Sequence, residues 1–387
     1  MKNIVYISPN FPDDFKYFVK SLKNQGARVL GIGDEAYENL SPELKESLTE
    51  YYKVSALQNY DELTSACHYF ENRYGHIDSL DSNSEYWLVT EAHLREDFNI
   101  DGLKPADMPK IKNKSEMKKV YRSIGLRVAE GAVAHTLDEA KKFLESIEWR
   151  FPVIAKPDSG VGASDTFKIH SMEELEEVFQ IKPDIPYIFE EFIEGQIVTF
   201  DGIADDHSNV ILFGCHVDSD GLMNTVNDNL DSYFHSLRDV PVELERIGRA
   251  CIKAFEVKRR FFHLEFFLTK TGEIVPLEVN IRPPGGGLEL FNYAHDIDIF
   301  EIWANMIVNG EYHVDYERKY YACHVGRKWC YHYEHSHDQL VSEIPEIVSH
   351  GIYPEVFASA MGNEYYIVRT PSKERLYEII GAIQAKH

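Results

Sequence analysis

Two periods of apolar and polar residues alternate along the chain, and they predict most of its elements. Residues 2–8 form a short apolar run, Asp14–Gln25 repeats apolar side chains at helical spacing, and Gly26–Gly33 is a second apolar run. Strand, helix and strand at this length predict a βαβ opening and a parallel sheet with Rossmann-like winding. The alternation continues with a helix over Tyr60–Tyr74, a strand near His76–Leu80 and a helix over Tyr86–Phe98. Gly102–Lys112 carries two prolines and little periodicity, which marks a domain boundary. Beyond it, helices are expected over Lys114–Ile124, Thr136–Ser146, Pro241–Phe255, Ala294–Asn309 and Ser372–Ala385. Strands are expected over Arg127–Ala134, Phe151–Lys156 and the run from Ile185 into the acidic turn Glu190–Gly195. Gln196–Ala204 and Val210–Val217 read as a hairpin, and short strands resume from Tyr320.

The most informative pattern lies in a second hairpin. Phe262–Thr269 and Glu273–Ile281 flank the turn-prone Lys270-Thr271-Gly272. Residues two apart on a strand share a face. Glu278, Asn280 and Arg282 therefore project to one side and Val279 and Ile281 to the other, with Glu265 near Glu278 on the facing strand. Two carboxylates and an amide oxygen make a hard-oxygen set suited to Mg²⁺, and an Arg on the same face can grip a phosphoryl or carboxylate oxygen. The segment then enters Pro283-Pro284-Gly285-Gly286-Gly287, which cannot continue a strand and whose backbone can approach a ligand closely. A solvated, charged hairpin face is the plainer alternative.

Two lysines and a glycine loop add to this picture. An apolar strand ends at Lys156 and runs into Ser159-Gly160-Val161-Gly162-Ala163-Ser164. Successive N–H groups in such a loop can form an anion-binding nest, with Lys156 as a point charge; a Gly/Ser hairpin turn is the alternative. The loop lacks P-loop spacing, and no G-x-G-x-x-G follows the first strand, so a dinucleotide site there is not expected. Cys330, His332, His335 and His337 crowd one segment without a zinc pattern, and read as surface or as a dimer contact.

Composition narrows the function classes. The 387 residues carry a formal net charge of −24, which argues against a protein that holds nucleic acid by neutralising phosphates. Five scattered cysteines without a C-x-x-C fit reduced thiols in a cytoplasmic protein. No signal peptide is expected at the N-terminus, and no run approaches the roughly 20 apolar residues of a membrane span.

In this order (Lys114 opening a helix, Lys156 with its glycine loop, the acidic turn after Glu190, then Glu265 and Glu278-x-Asn280-x-Arg282) the chain resembles the ATP-grasp superfamily over nearly its whole length. The resemblance implies an α/β and α+β architecture, an ATP-grasp fold behind an N-terminal Rossmann-like preATP-grasp domain. It divides the chain into 1–110, an N-terminal lobe at 111–195, a C-terminal lobe at 196–315 and a small α+β segment at 316–387 that completes the fold. It implies Lys114 and Lys156 as nucleotide-phosphate lysines and Ser159, Gly160, Gly162, Ala163 and Ser164 as the lid over the phosphates. Glu190 would accept from the adenine amino group within Glu190–Glu191, and the backbone of Phe192 and Ile193 would meet the ring edge. Glu265, Glu278 and Asn280 would hold one or two Mg²⁺ ions, with Mn²⁺ able to substitute, and Arg282 would be catalytic. The usual ribose-binding acid is absent, since Gln196 and Ile197 occupy the nearby positions; Glu194 and Asp201 are the substitutes in reach. The implied activity is an ATP-dependent carboxylate–amine ligase acting on small molecules, not nucleic acid or membrane, as a homodimer. Amino-acid ligases and carbamoyl-phosphate-synthase-like proteins are the nearest types. A kinase acting on a hydroxyl and a non-catalytic ATP-binding regulator are the alternatives.

Overall fold

The computed structural model describes residues 1–160, 165–219, 225, 229–311 and 313–387. Strands β1 (Asn3–Ile7), β2 (Arg28–Gly33), β3 (Glu50–Lys53) and β4 (Ser79–Asp81) form a parallel sheet ordered β3-β2-β1-β4, the Rossmann-like opening that the apolar pattern predicts. Next, β5 (Gly131–Ala134), β6 (Val153–Pro157), β7 (Phe167–Ile169) and β8 (Tyr187–Glu191) form an antiparallel sheet ordered β5-β8-β6-β7.

The remaining strands build one nine-stranded sheet. They are β9 (Gly195–Ala204), β10 (Val210–Gly214), β11 (His216–Asp218), β12 (Tyr233–Ser236), β13 (Arg260–Thr269), β14 (Ile274–Asn280), β15 (Tyr321–Arg327), β16 (Ile347–Ile352) and β17 (Glu364–Thr370). Their order is β14-β13-β9-β11-β12-β15-β17-β16, with β10 paired to β9. The C-terminal strands β15–β17 therefore extend the same sheet that carries the β13–β14 hairpin.

Period-two patterning separates core from chemistry across this sheet. Phe262, Leu264, Phe266, Val279, Ile281, Val198, Phe200 and Val217 enter one core, closed by the helices Val242–Ala254 and Lys114–Ser123. Each such side chain contributes about 1.5–3 kcal/mol on burial. Phe261 and Ile203 lie on the opposite face and pack with Tyr6, Phe18 and Trp303, so the N-terminal sheet and the helices Lys16–Asn24 and Ile299–Asn309 share a core with the large sheet. His263, Glu265, Thr199 and Asp201 continue the face of Phe261 and Ile203. The charged residues of β9 and β13 are thus carried by strands pinned from behind.

Three expectations change. The helix expected over Ala294–Asn309 is two helices, Leu288–His295 and Ile299–Asn309. Asp296 adopts a left-handed conformation between them, and Asp298 accepts from the N–H groups of Phe300 and Glu301 to start the second. The prolines of Gly102–Lys112 sit near the starts of two short helical turns, Pro105–Asp107 and Met108–Lys112, which bury Met108 and Ile111. A further helix, Met172–Ile181, follows its Ser171 cap, whose hydroxyl accepts from Glu174 N–H.

Candidate functional site

The β13–β14 register sets Glu265 opposite Glu278 and His263 opposite Asn280. Pairing slips after Glu265, so that Phe266 faces Pro276 and Leu277 becomes the extra residue of a bulge beside the two carboxylates. Arg282 follows at the strand end, where its Nη1 donates to the Pro283 carbonyl at 2.8 Å. Gly286 takes a φ of 64°, which a side chain would strain, and its α-carbon faces Met361. Next comes the helix Leu288–His295.

The lysines reach this hairpin from two directions. Lys114 opens the helix Lys114–Ser123, and its Nζ lies 3.0 Å from Glu278 Oε1. Asp158, two residues beyond Lys156, fixes that helix start. Its carbonyl accepts from Lys114 N–H at 2.8 Å, and its carboxylate accepts from the N–H and the hydroxyl of Ser115, each at 2.8 Å. A carboxylate at a helix N-terminus is favoured by the helix dipole. Asp158 therefore ties the end of β6 to the helix that carries Lys114. One turn further on, Lys118 Nζ meets Glu190 Oε1 at 2.8 Å, and Lys156 Nζ meets Glu190 Oε2 at 2.8 Å.

The electrostatics follow from this sharing. Burial by itself would raise the Glu190 carboxyl, but Lys156 and Lys118 hold it down at about 2. Burial lowers Lys118, and Glu190 only partly offsets that, since Lys156 and Arg122 oppose a second positive charge. Burial also disfavours the Lys156 ammonium, yet Glu190, Glu278 and Glu265 together raise its pKa. Lys156 therefore sits in the field of all three acids, linking the Glu190 end of the cleft to the hairpin end.

The segment Phe192–Glu194 joins β8 to β9 and lies outside both ladders. Ile193 buries its side chain against Ala129 and Val275, and Lys168 Nζ stands 4.1 Å from the centre of the Phe192 ring. Glu191 Oε1 accepts from Glu130 N–H at 3.1 Å and from Arg127 at 3.2 Å. Ser159 forms a bridge with Asn113, and Gly160 is exposed. Gly162, Ala163 and Ser164 lie outside the described residues. Of the two ribose substitutes, Asp201 is 1% exposed and bound by His263 and His216, whereas Glu194 is exposed and pairs with Lys270 at 2.5 Å. Asp201 is not available to a ribose.

Lys118, Asp158, His263 and His216 carry no role in the sequence reading, and Asp201 enters it only as a ribose substitute. Lys118 carries a readable signal, one helical turn after Lys114, and His263 shares the strand face of Glu265. The contacts of Asp201 with His216 and His263 carry none, because β9–β13 and β9–β11 pairing brings these residues together. Among the described residues, Asp201, His216 and His263 gather their ligand atoms within 4.8 Å. Cys330 is exposed with a free thiol, and His337 Nδ1 meets Tyr366 Oη at 3.0 Å.

No family model matches the chain. It is 25% identical over 244 residues to an L-arginine-specific L-amino acid ligase of Bacillus subtilis, covering 60% of this chain and 58% of that protein. It is 24% identical over 226 residues to a carbamoyl phosphate synthase large chain of Pyrococcus furiosus, covering 57% of this chain and 21% of that one. The matched region thus spans less than two thirds of either relative. Among solved structures, an L-amino acid ligase from Bacillus licheniformis superposes with a TM-score of 0.74 at 16% identity, over 98% of this chain and 96% of that one. The chain has the ATP-grasp fold, shared with that amino-acid ligase over nearly its whole length, with the Rossmann-like sheet at the N-terminus.

Proposed function

We propose that this protein is an ADP-forming ligase that activates a small-molecule carboxylate as an acyl-phosphate for attack by an amine, with amino acids as the first substrates to test. The observation that carries this reading is the cross-strand pair Glu265–Glu278, with Asn280 and Arg282 on the same face and Lys114 and Lys156 in the same electrostatic cleft. Both carboxylates and the amide are oxygen donors, a set that fits Mg²⁺, one or two ions, with Mn²⁺ as a substitute. Glu265, Glu278 and Asn280 would hold the ion, which would supply positive charge to offset the phosphate oxygens during phosphoryl transfer.

The chain's own residues supply position and charge. Lys114 and Lys156 neutralise phosphate oxygens while Glu278 and Glu190 hold them in place. Glu190 keeps acceptor capacity for an adenine amino group, since a carboxylate has about four acceptor sites and two ammonium groups contact it. The backbone of Phe192 and Ile193, outside both ladders, meets the ring edge. Arg282 steadies the transferred phosphoryl group and the oxyanion that forms when the amine attacks, through charge-assisted hydrogen bonds. The family resemblance gives the segment Ser159–Ser164 the task of covering the phosphates, which would keep water from the acyl-phosphate. No Ser, Cys or His nucleophile is needed.

We retain the division near residues 110, 195 and 315, a homodimer, and a reducing cytoplasmic setting. Five unpaired cysteines, four of them buried, accord with the last. Among the described residues no helix is long and apolar enough to cross a membrane. Screening amino-acid pairs with ATP and Mg²⁺ tests the reading. ADP, phosphate and a new amide in equal amounts are expected, whereas a phosphorylated hydroxyl would establish a kinase instead.

A further inference from the structure

A line of acids and imidazoles crosses three strands beside the hairpin. His263 on β13 places Nδ1 2.6 Å from Asp201 Oδ1 and Nε2 3.0 Å from Glu265 Oε1. Asp201, on β9, is held on its other oxygen by His216 Nδ1 at 2.7 Å and by the Thr199 hydroxyl. The His216 backbone N–H donates to Thr199 Oγ1 at 3.0 Å, and the two imidazole rings stack 6° from parallel with centres 5.7 Å apart. His216 rests in turn on Phe234. Each member is therefore fixed from two sides, and the line ends on one oxygen of Glu265. Oε2 of Glu265 accepts no hydrogen bond from a described residue.

The trio Asp201, His216 and His263 is not itself arranged as a metal centre. Ligand atoms around a tetrahedral ion stand about 3.3 Å apart for bonds near 2.0 Å. Here each imidazole nitrogen meets a separate Asp201 oxygen at 2.6–2.7 Å, which is hydrogen-bonding distance.

We propose that His263 is a positioning residue for Glu265: braced by Asp201 and His216, its Nε2 holds Oε1 and leaves Oε2 as the oxygen available to a divalent cation. Outer partners of this kind orient ligand carboxylates and limit their rotation. This inference rests on the reading of Glu265, Glu278 and Asn280 as metal ligands.

Binding of Mn²⁺ to the full chain in the presence of ADP, followed by electron paramagnetic resonance of the free ion, tests it without turnover. An Asn amide nitrogen takes the place of Nδ1, and a Gln amide nitrogen that of Nε2. His263→Asn keeps the Asp201 contact, loses the Glu265 contact, and is expected to weaken Mn²⁺ binding about 10–100-fold. His263→Gln restores a donor to Glu265 and is expected to stay within about threefold of the parent, well inside that range. Affinity for ADP without metal, by calorimetry, is expected to be unchanged in both. Parent-like Mn²⁺ binding by His263→Asn, or metal-free ADP affinity falling as far as Mn²⁺ affinity, overturns the proposal. Should His263→Asn not fold, a tenfold or greater loss in His263→Gln overturns it alone. Glu278→Ala separates the two layers: loss there with none in His263→Asn sinks only the positioning role, and loss in neither sinks the metal site as well.

Discussion

Two clusters of buried charge in this molecule look alike by burial and differ in construction. The first joins the N-terminal sheet to the start of β13. Glu91 takes Arg95 at 2.7 Å and Arg260 at 3.2 Å, Arg260 also meets Asp81 at 3.3 Å, and Ser82 donates to Glu91. Two acids and two arginines close on one another, and Arg95 spends further donors on the Leu80 carbonyl. The second is the cleft of Lys114, Lys118 and Lys156. Its three ammonium groups rest on two carboxylates, Glu190 and Glu278, while Glu265, Asn280 and Arg282 line the adjoining face. One cluster is self-neutral, two acids against two arginines, with only Arg95 Nη1 and Arg260 Nε left without a hydrogen-bond partner among its guanidinium nitrogens. The other has positive charge in excess over its direct partners, and Lys156 stands near the end of the strand that runs on into Ser159 and Gly160. Buried charge alone does not mark a site; an unbalanced set next to permissive backbone does.

Breaking the second cluster is expected to stop the chemistry and spare the fold. Glu278→Ala removes an oxygen donor and the partner of Lys114, and ADP formation is expected to fall at least a thousandfold, on the order of 4 kcal/mol of transition-state stabilisation. Its urea midpoint is expected to stay close to the parent. Undiminished turnover would remove Glu278 from the metal set.

Breaking the first cluster is expected to do the opposite. Glu91→Ala leaves two buried guanidinium groups with Asp81 as their one carboxylate and is expected to cost about 3–5 kcal/mol of stability, read by urea unfolding. The KM for ATP of the fraction that remains folded is expected to be unchanged. A large KM effect would mean that the two clusters communicate.

The pH dependence of stability sharpens the contrast within the site. The Glu190 carboxyl is held at about 2 in the folded chain, below its ordinary value. Its contribution is present above about pH 4.5 and is lost as pH falls from there towards 2. His263 runs the other way. Burial disfavours its charged form, but Asp201 and then Glu265 raise it to about 9. Its contribution is full below about pH 6.5 and is lost as pH rises from there to 9. Urea midpoints across pH are expected to lose the acid limb in Glu190→Gln and the alkaline limb in His263→Asn.

The smallest effect is expected at the Cys330–His337 segment. Cys330→Ser changes an exposed thiol and is expected to alter stability by less than about 0.5 kcal/mol, with ADP release unaffected.

The parts of this picture that were legible in the sequence are those set by short-range geometry. Period two and a three-residue turn determine which β13 and β14 residues share a face and that Glu265 meets Glu278. Strand–helix alternation announces the parallel sheet. The helix Met172–Ile181 was readable too, from Ser171 and Glu174 at capping spacing, yet the sequence reading passes over it. Asp158 at the start of the Lys114 helix and the Asp201 clamp depend on contacts between distant strands and leave no local trace. The break at Asp296 is a middle case. The apolar repeat runs on through it, and only the preference of Asp298 for a helix cap opposes it.

The central claim is that a substrate carboxylate attacks the γ-phosphorus of ATP before the amine arrives. Amide synthesis from a carboxylate labelled with ¹⁸O, followed by mass analysis of the released phosphate, tests it most directly. One ¹⁸O atom in phosphate for each amide formed is the predicted result. Amide formation with unlabelled phosphate would contradict the acyl-phosphate route.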